Sequence, residues 1–310
     1  MKNLFFFTLG MITLAAVFMV SAYTKPDSLP PTTTTILSTE EAPSNTVQEV
    51  APPPLPDAID FAGESLPMDN FDAVERFDRE LIANCFRHSA TFVYLKRANR
   101  YFPIIEPILK EQGMPDDLKY LAVAESGLDN AVSPAGARGF WQFMSGSAQE
   151  RGLEVNNEID ERYHLEKATV AACAYLREAH KELGNWMLAA ASYNMGKGGL
   201  KKRLREQGAD AYFDLNLNSE TSRYLLRIMA LKEIMQHPEK YGFNLTQKDL
   251  YAPFPPHKVV TVKNSVSSWA DFAKEHNTSY RMLKVYNPWL RSTSLTNKYK
   301  KTYQVYVPVS

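Results

Sequence analysis

The feature that most constrains this fold is an apolar period of about 3.6 residues that runs with few breaks from Phe71 to Tyr241. Glycine and proline cut it into helix-sized pieces. In YFPIIEPILKEQG, Ile104, Ile105, Ile108 and Leu109 make one stripe, Gly113 is placed to end that helix, and Pro115 opens the next. Further helices are predicted over 166–183, closed by Gly184, over 186–194, and over 221–236, closed by Pro238. Apolar residues make up 45% of the chain, enough to fill a core between such helices. A compact all-α bundle is the expected main body.

Both ends of the chain differ from this body. After the Pro-rich stretch APFPPH at 252–257, KVVTV reads as a strand, SSWADFAKEH and SYRMLKVYN as two short helices, and YQVYVPV as a returning strand. The fold class is therefore mainly α, followed by a small β-α-α-β module. At the other end, MKNLFFFTLGMITLAAVFMVSA has the charge, apolar run and small-residue end of an export signal. It is either cut after Val20-Ser21-Ala22 or kept as a membrane anchor, and no cysteine follows it to carry a lipid. The expected organisation is a signal peptide or signal anchor at 1–22, a Pro/Thr-rich linker at 23–60, a helical domain at 61–245, a joint at 246–257 and the small module at 258–310.

Several function classes are excluded early. Lys and Arg number 35 and Asp and Glu 35, so capture of nucleic acid is not expected. The two cysteines, Cys85 and Cys173, lack metal-ligand spacing and lie in helix-like apolar patterns, which favours buried thiols over one disulfide. The six histidines are scattered without an HExxH pattern. DLNLNSE at 214–220 begins like a calcium loop, but Ser219 stands where glycine is needed and Leu225 where glutamate is needed, so it reads as a helix-capping loop. No metal and no cofactor are predicted.

The chemistry points to Glu125. Leu118, Leu121, Ala122 and Glu125 fall at i, i+3, i+4 and i+7, which puts a carboxylate on an apolar stripe near a helix C-terminus. Desolvation and the helix dipole both oppose ionisation there, as suits a general acid near neutral pH. Pairing with Arg138 is the plainer alternative. The following SPAGARGFWQFM supplies small residues for close approach of a ligand, aromatic faces and an amide able to bind sugar hydroxyls.

ES at 125–126, SPAGARGFWQFM at 133–144, ASYNMG at 191–196 and ETSRYLLRIMALK at 220–232 resemble, in order and spacing, the motifs of family 1 lytic transglycosylases, particularly the membrane-bound type D branch. The resemblance implies a lysozyme-like α fold and cleavage of peptidoglycan between N-acetylmuramic acid and N-acetylglucosamine. It makes Glu125 the catalytic acid and places Ser126, Gly139, Gln142, Tyr193, Asn194 and Tyr224 along the substrate. Phe140 stands where leucine is usual, and Ser192 and Met195 where alanine is common. The last fifty or so residues resemble a LysM glycan-binding domain in NPWL and VYVP, although Asn264-Ser265-Val266 replaces the usual GDT. Trp269, Phe272, Leu283 and Tyr286 have the spacing of that module's own core.

Glycoside cleavage commonly pairs two carboxylates, and no second one stands out. Asp129 lies beyond Gly127, which should break the helix; Asp116 and Asp117 suit a helix start, and Asp160 and Glu161 suit caps. The resemblance accounts for this: one glutamate acts as acid and then as base toward the sugar's own C6 hydroxyl, closing a 1,6-anhydro ring. The rivals are a goose-type lysozyme, which would need a water-positioning acid such as Asp129 or Asp160, and a non-catalytic peptidoglycan-binding protein. The expected partner is the glycan strand. The expected location is the bacterial cell envelope, periplasmic, with the chain soluble or attached to the membrane through its N-terminal segment.

Overall fold

The computed structural model describes residues 51–309; the expected export signal and most of the linker fall outside them. The first elements are a two-residue hairpin, β1 (Asp60–Phe61) and β2 (Glu64–Ser65). Ile59 and Phe61 are buried, so the packed body takes in the end of the stretch expected to be linker.

Helices α1 (Phe71–Cys85), α2 (His88–Glu111), α3 (Lys119–Ser126), α4 (Ser145–Glu150), α5 (Leu165–Leu183), α6 (Trp186–Met195), α7 (Lys197–Gln207) and α8 (Ser219–Gln236) follow. The predicted helices over 166–183, 186–194 and 221–236 are α5, α6 and α8 to within two residues. The polar α7 has too little apolar pattern to be read in advance: Leu200 is its buried residue. Helix α2 continues through Pro103 and Pro107, each of which removes one backbone donor, because α3 and α5 pack along it. Helix α8 is apolar on nearly every face and sits at the centre against α1, α3 and α6. Its start is capped by Asn218, whose side chain accepts from Thr221 N–H, so the 214–220 segment is the capping loop expected of it.

Charged groups fasten the hairpin to this bundle. Lys232 of α8 reaches Asp117 at 2.7 Å, and Asp117 also accepts from Ala62 N–H at 2.7 Å. Asp116 pairs with Lys119 at 2.5 Å, so both acids before α3 are structural. Cys85 and Cys173 are free and buried, and burial pushes their thiols up to about 12 and about 11.

The C-terminal module pairs β3 (His257–Val262) with β4 (Tyr303–Pro308) antiparallel, Val260 opposite Val305, and places α9 (Trp269–Glu275) and α10 (Tyr280–Tyr286) between them in sequence. Trp269 and Leu283 are fully buried with Val305 and Val307, and Phe272 packs on them. The expected joint is docked on α2: Lys96 O accepts from Tyr251 N–H at 3.2 Å, and Arg100 Nε donates to Ala252 O at 2.8 Å. Ile159 and Tyr163 from the helical body belong to the module's core, and Asp160 N–H donates to Trp289 O at 2.9 Å. Among the described residues no helix is long and apolar enough to cross a membrane.

Candidate active site

Helix α3 delivers Glu125 on its last turn. Leu121, Ala122 and Val123 bury the helix, and Gly127 ends it at φ +62° with its N–H bonded to Val123 O. Any side chain at Gly127 would also meet the Tyr94 ring, 2.3 Å from an ideal Cβ. The glycine thus turns the chain sharply just beyond the acid.

The loop that follows folds on itself. Isolated bridges join Val132 to Arg138 and Arg138 to Phe143. Gly139 has φ +80°, and a Cβ there would lie 1.9 Å from Arg162 O, so its smallness serves a neighbouring backbone. Gln142, in the left-handed region at φ +48°, donates through Nε2 to Gly139 O at 2.7 Å and Ala131 O at 3.1 Å. Its amide nitrogen is spent on the loop and its Oε1 is left for other contacts. Ser126 Oγ lies 2.9 Å from Phe140 O and accepts from Asp129 N–H, tying the two sides of the loop together. Trp141 is fully buried and its indole donates to Thr169 Oγ1 at 2.9 Å.

Two tyrosines close on the acid from other helices. Tyr224 of α8 donates its hydroxyl to Glu125 Oε1 at 2.5 Å. Tyr193 of α6 donates to Trp141 O at 2.8 Å; burial first and the Glu125 charge second hold its phenol well above the ordinary range. Asn194 Oδ1 accepts from Thr221 Oγ1 at 2.8 Å, which leaves its amide N–H groups for other partners. Helix α6 is itself set by Asn185 and by Glu64, which accepts from Met187 N–H at 2.9 Å.

Burial pushes the Glu125 carboxyl up to about 7, against the Tyr224 hydrogen bond and the Arg227 charge, with Glu220 adding to the rise. Glu125 has no ion-pair partner among the described residues. Arg138, the alternative partner read from the sequence, lies 4.0 Å from Asp160 instead. The two acids that a water-activating mechanism would recruit are engaged elsewhere, Asp129 with Arg97 at 2.6 Å and Asp160 with Arg162 at 2.7 Å.

Sequence reasoning missed Glu220 and Arg227. They pair at 2.9 Å, and the Arg227 guanidinium lies 5.7 Å from the centre of the Tyr224 ring. The signal was present, since Glu220, Tyr224 and Arg227 fall at i, i+4 and i+7 on one helix face. The assembly offers one carboxyl able to give and take a proton near pH 7, held by a phenol in packed surroundings.

Residues 102–216 match the Transglycosylase SLT domain family, and residues 258–310 match the family described as the soluble lytic transglycosylase C-terminal LysM-like domain. The chain is 29% identical over 198 residues to membrane-bound lytic murein transglycosylase D of Escherichia coli strain K12, and equally so to that of strain O6:H1, covering 61% of this chain and 43% of the relative. It thus spans less than half the length of those relatives. Among solved structures it is similar to the 70 kDa soluble lytic transglycosylase of Escherichia coli, with 18% identity, TM-score 0.39, and coverage of 50% of this chain and 27% of that one. It is also similar to an inactive mutant of lytic transglycosylase Slt from Pseudomonas aeruginosa, with 20% identity, TM-score 0.38, and coverage of 49% and 26%.

Proposed function

On the premise that residues 102–216 are a transglycosylase SLT domain and residues 258–310 a LysM-like domain, we propose that the chain is a peptidoglycan lytic transglycosylase. It cleaves the β-1,4 bond between N-acetylmuramic acid and N-acetylglucosamine without water and leaves 1,6-anhydromuramyl ends. The observation that carries this reading is the Glu125 carboxyl, pushed up to about 7 by burial and bonded to Tyr224 rather than to a cation.

Protonated Glu125 gives its proton to the glycosidic oxygen as the C1–O bond breaks, the bonding pair leaving with the N-acetylglucosamine oxygen. The carboxylate then takes the proton of the C6 hydroxyl, whose oxygen bonds to C1 and closes the anhydro ring. An intramolecular hydroxyl has a high effective concentration, so no second carboxylate is needed. Tyr224 steadies Glu125 through both steps. Asn194 N–H groups and Gln142 Oε1 are the polar atoms left for sugar contacts, with Tyr193 behind them. Ser126 and Gly139 act by holding the loop. The substrate is the glycan strand of the cell envelope, met outside the cytoplasm by a chain that is periplasmic or anchored through its first residues.

Purified protein and its Glu125→Gln variant, incubated with peptidoglycan, test this by mass spectrometry of the products. Anhydromuramyl ends from the wild type alone are expected. Reducing ends would point instead to a hydrolase, with Glu220 as the carboxylate to examine, and no product from either would leave a binding protein. Because the first step needs protonated Glu125, activity is also expected to fall as pH rises through about 7.

A further inference from the structure

Arg162 stands between the C-terminal module and the loop that follows Glu125, and it is 5% exposed. All three nitrogens of its guanidinium are used. Nε and Nη2 donate to the two carboxylate oxygens of Asp160 at 2.9 and 2.7 Å, while Nη1 donates to Gly136 O at 3.2 Å and to Phe143 O at 3.3 Å. In sequence those two carbonyls lie on either side of Gln142. The backbone of the same residue fills the space beside Gly139, where a Cβ would come within 1.9 Å of Arg162 O. One residue thus grips the loop through its side chain and packs it through its main chain.

The loop needs such a hold. Gln142 has φ +48°, a left-handed conformation that a non-glycine residue keeps only where its surroundings fix it. Its amide nitrogen donates to Gly139 O and Ala131 O, so the direction of its free Oε1 depends on where those carbonyls are held. The residues around Arg162 are in turn held by the module. Asp160 N–H donates to Trp289 O at 2.9 Å, Arg291 N–H donates to Glu158 O at 2.8 Å, and Ile159 and Leu290 form an antiparallel bridge, so 158–160 lies against the module like an added strand. Ile159 and Tyr163 are buried in its core, with the Arg291 guanidinium 4.3 Å from the centre of the Tyr163 ring. Lysine, with one nitrogen in place of a planar fork, cannot meet Asp160 twice and the loop as well.

We infer that Arg162 is a positioning residue for the 131–144 loop, and that the docked C-terminal module, by holding Arg162, sets the geometry of Gln142 where it meets the sugar. The module then has a task inside the molecule, beside any contact it makes with glycan. This rests on the reading of the chain as a transglycosylase in which Gln142 contacts the substrate. The Arg162 guanidinium is bonded to Asp160 and the loop and not to Glu125, so it acts on where the sugar lies rather than on the proton. A misplacement of about 1 Å can lower a rate on the order of 100-fold.

The test compares the full-length protein with Asp160→Asn/Arg162→Met, which removes the buried pair together and leaves neither charge alone. Hydrogen exchange is read at the Arg138, Gly139 and Gln142 N–H groups, all bonded within the loop, and kcat and KM are read from release of anhydromuramyl ends from soluble glycan strands. In the folded variant the loop amides are expected to exchange about ten times faster, with α3 and α8 unchanged. A kcat/KM lowered about tenfold or more, with KM raised, is expected alongside, while the pH at which activity falls stays the same. Trp289→Ala, which loosens the module's hold on 158–163, is expected to speed the same amides, and Trp289→Phe to restore most of the wild-type protection. Loop exchange at the wild-type rate in the folded pair variant or in Trp289→Ala, or faster exchange with kcat and KM unchanged, would overturn the inference. If the pair variant does not fold, Arg162→Lys, which keeps a charge beside Asp160 and gives up the loop carbonyls, takes its place with the same expected and overturning results. Exchange needs no turnover. A wild type that makes no anhydro product counts against the proposed function, whereas a loop indifferent to Arg162 counts against this inference whatever the activity, so the two failures are told apart.

Discussion

The Glu125 cleft and the seam between the helical body and the C-terminal module handle carboxylates in opposite ways. At the seam, acids are matched by donors: Glu158 accepts from Thr296 N–H at 3.0 Å and from its hydroxyl at 2.6 Å, and Asp160 takes two bonds from the Arg162 guanidinium, at 2.9 and 2.7 Å. In the cleft, Glu125 has one phenol and no cation bonded to it. Fully matched acids hold surfaces together and keep their proton chemistry silent. A packed, under-matched acid is costly to the fold and becomes available for proton transfer.

The comparison is broken most directly by removing each acid's charge in turn. Glu125→Gln is expected to lower turnover by ~10²–10⁴-fold, the range for a general acid, while Glu158→Gln leaves it unchanged; rates of anhydromuramyl release from the two variants measure this. Next in size is Trp289→Ala, which removes a buried ring that joins the module to the body. It should cost about 3–5 kcal/mol in urea unfolding, with the body and module separating into two transitions.

A smaller effect sharpens the contrast through pH. The Glu125 carboxyl is raised from 4.5 to about 7 in the fold, so as pH climbs through that window the unfolded chain releases its proton first and the native state loses stability. Below 4.5 both states are protonated and the cost vanishes; above 7 it is fully present. Glu125→Gln escapes it, and its stability relative to wild type should rise by about 1–3 kcal/mol between pH 4 and pH 8, read from paired urea titrations. Smallest is Glu158→Ala, which removes the bonds to Thr296 at a partly exposed seam. About 1 kcal/mol of lost stability is expected, detectable as faster hydrogen exchange at Thr296.

Much of this was readable in one dimension because the signals are local. The stripe of Leu118, Leu121, Ala122 and Glu125, the stop at Gly127 and the cap before Thr221 need only near neighbours. The same holds for the strands of the module, whose alternation and flanking turns give them away. What failed to show was long-range. Asp117 looked like a helix-start acid, yet it also fastens α8 to the hairpin through Lys232, 115 residues away. Gly139 looked like room for a ligand, whereas the backbone at Arg162 fills that room. The joint at 246–257 looked only like a divide between body and module, and its Tyr251 and Ala252 are bonded to α2.

By itself, then, the order of residues determined helices α3, α5, α6 and α8, the small module and the one acid placed on an apolar stripe, since each follows from periodicity and from residues a few positions apart. Only the tertiary structure decided that Tyr224, rather than Arg138, meets that acid, and that Tyr251 of the joint is bonded to Lys96 of α2. Those contacts join residues roughly a hundred or more positions apart, and which of the many candidate pairs forms is set by how α3, α6 and α8 pack, a property no short window of sequence contains.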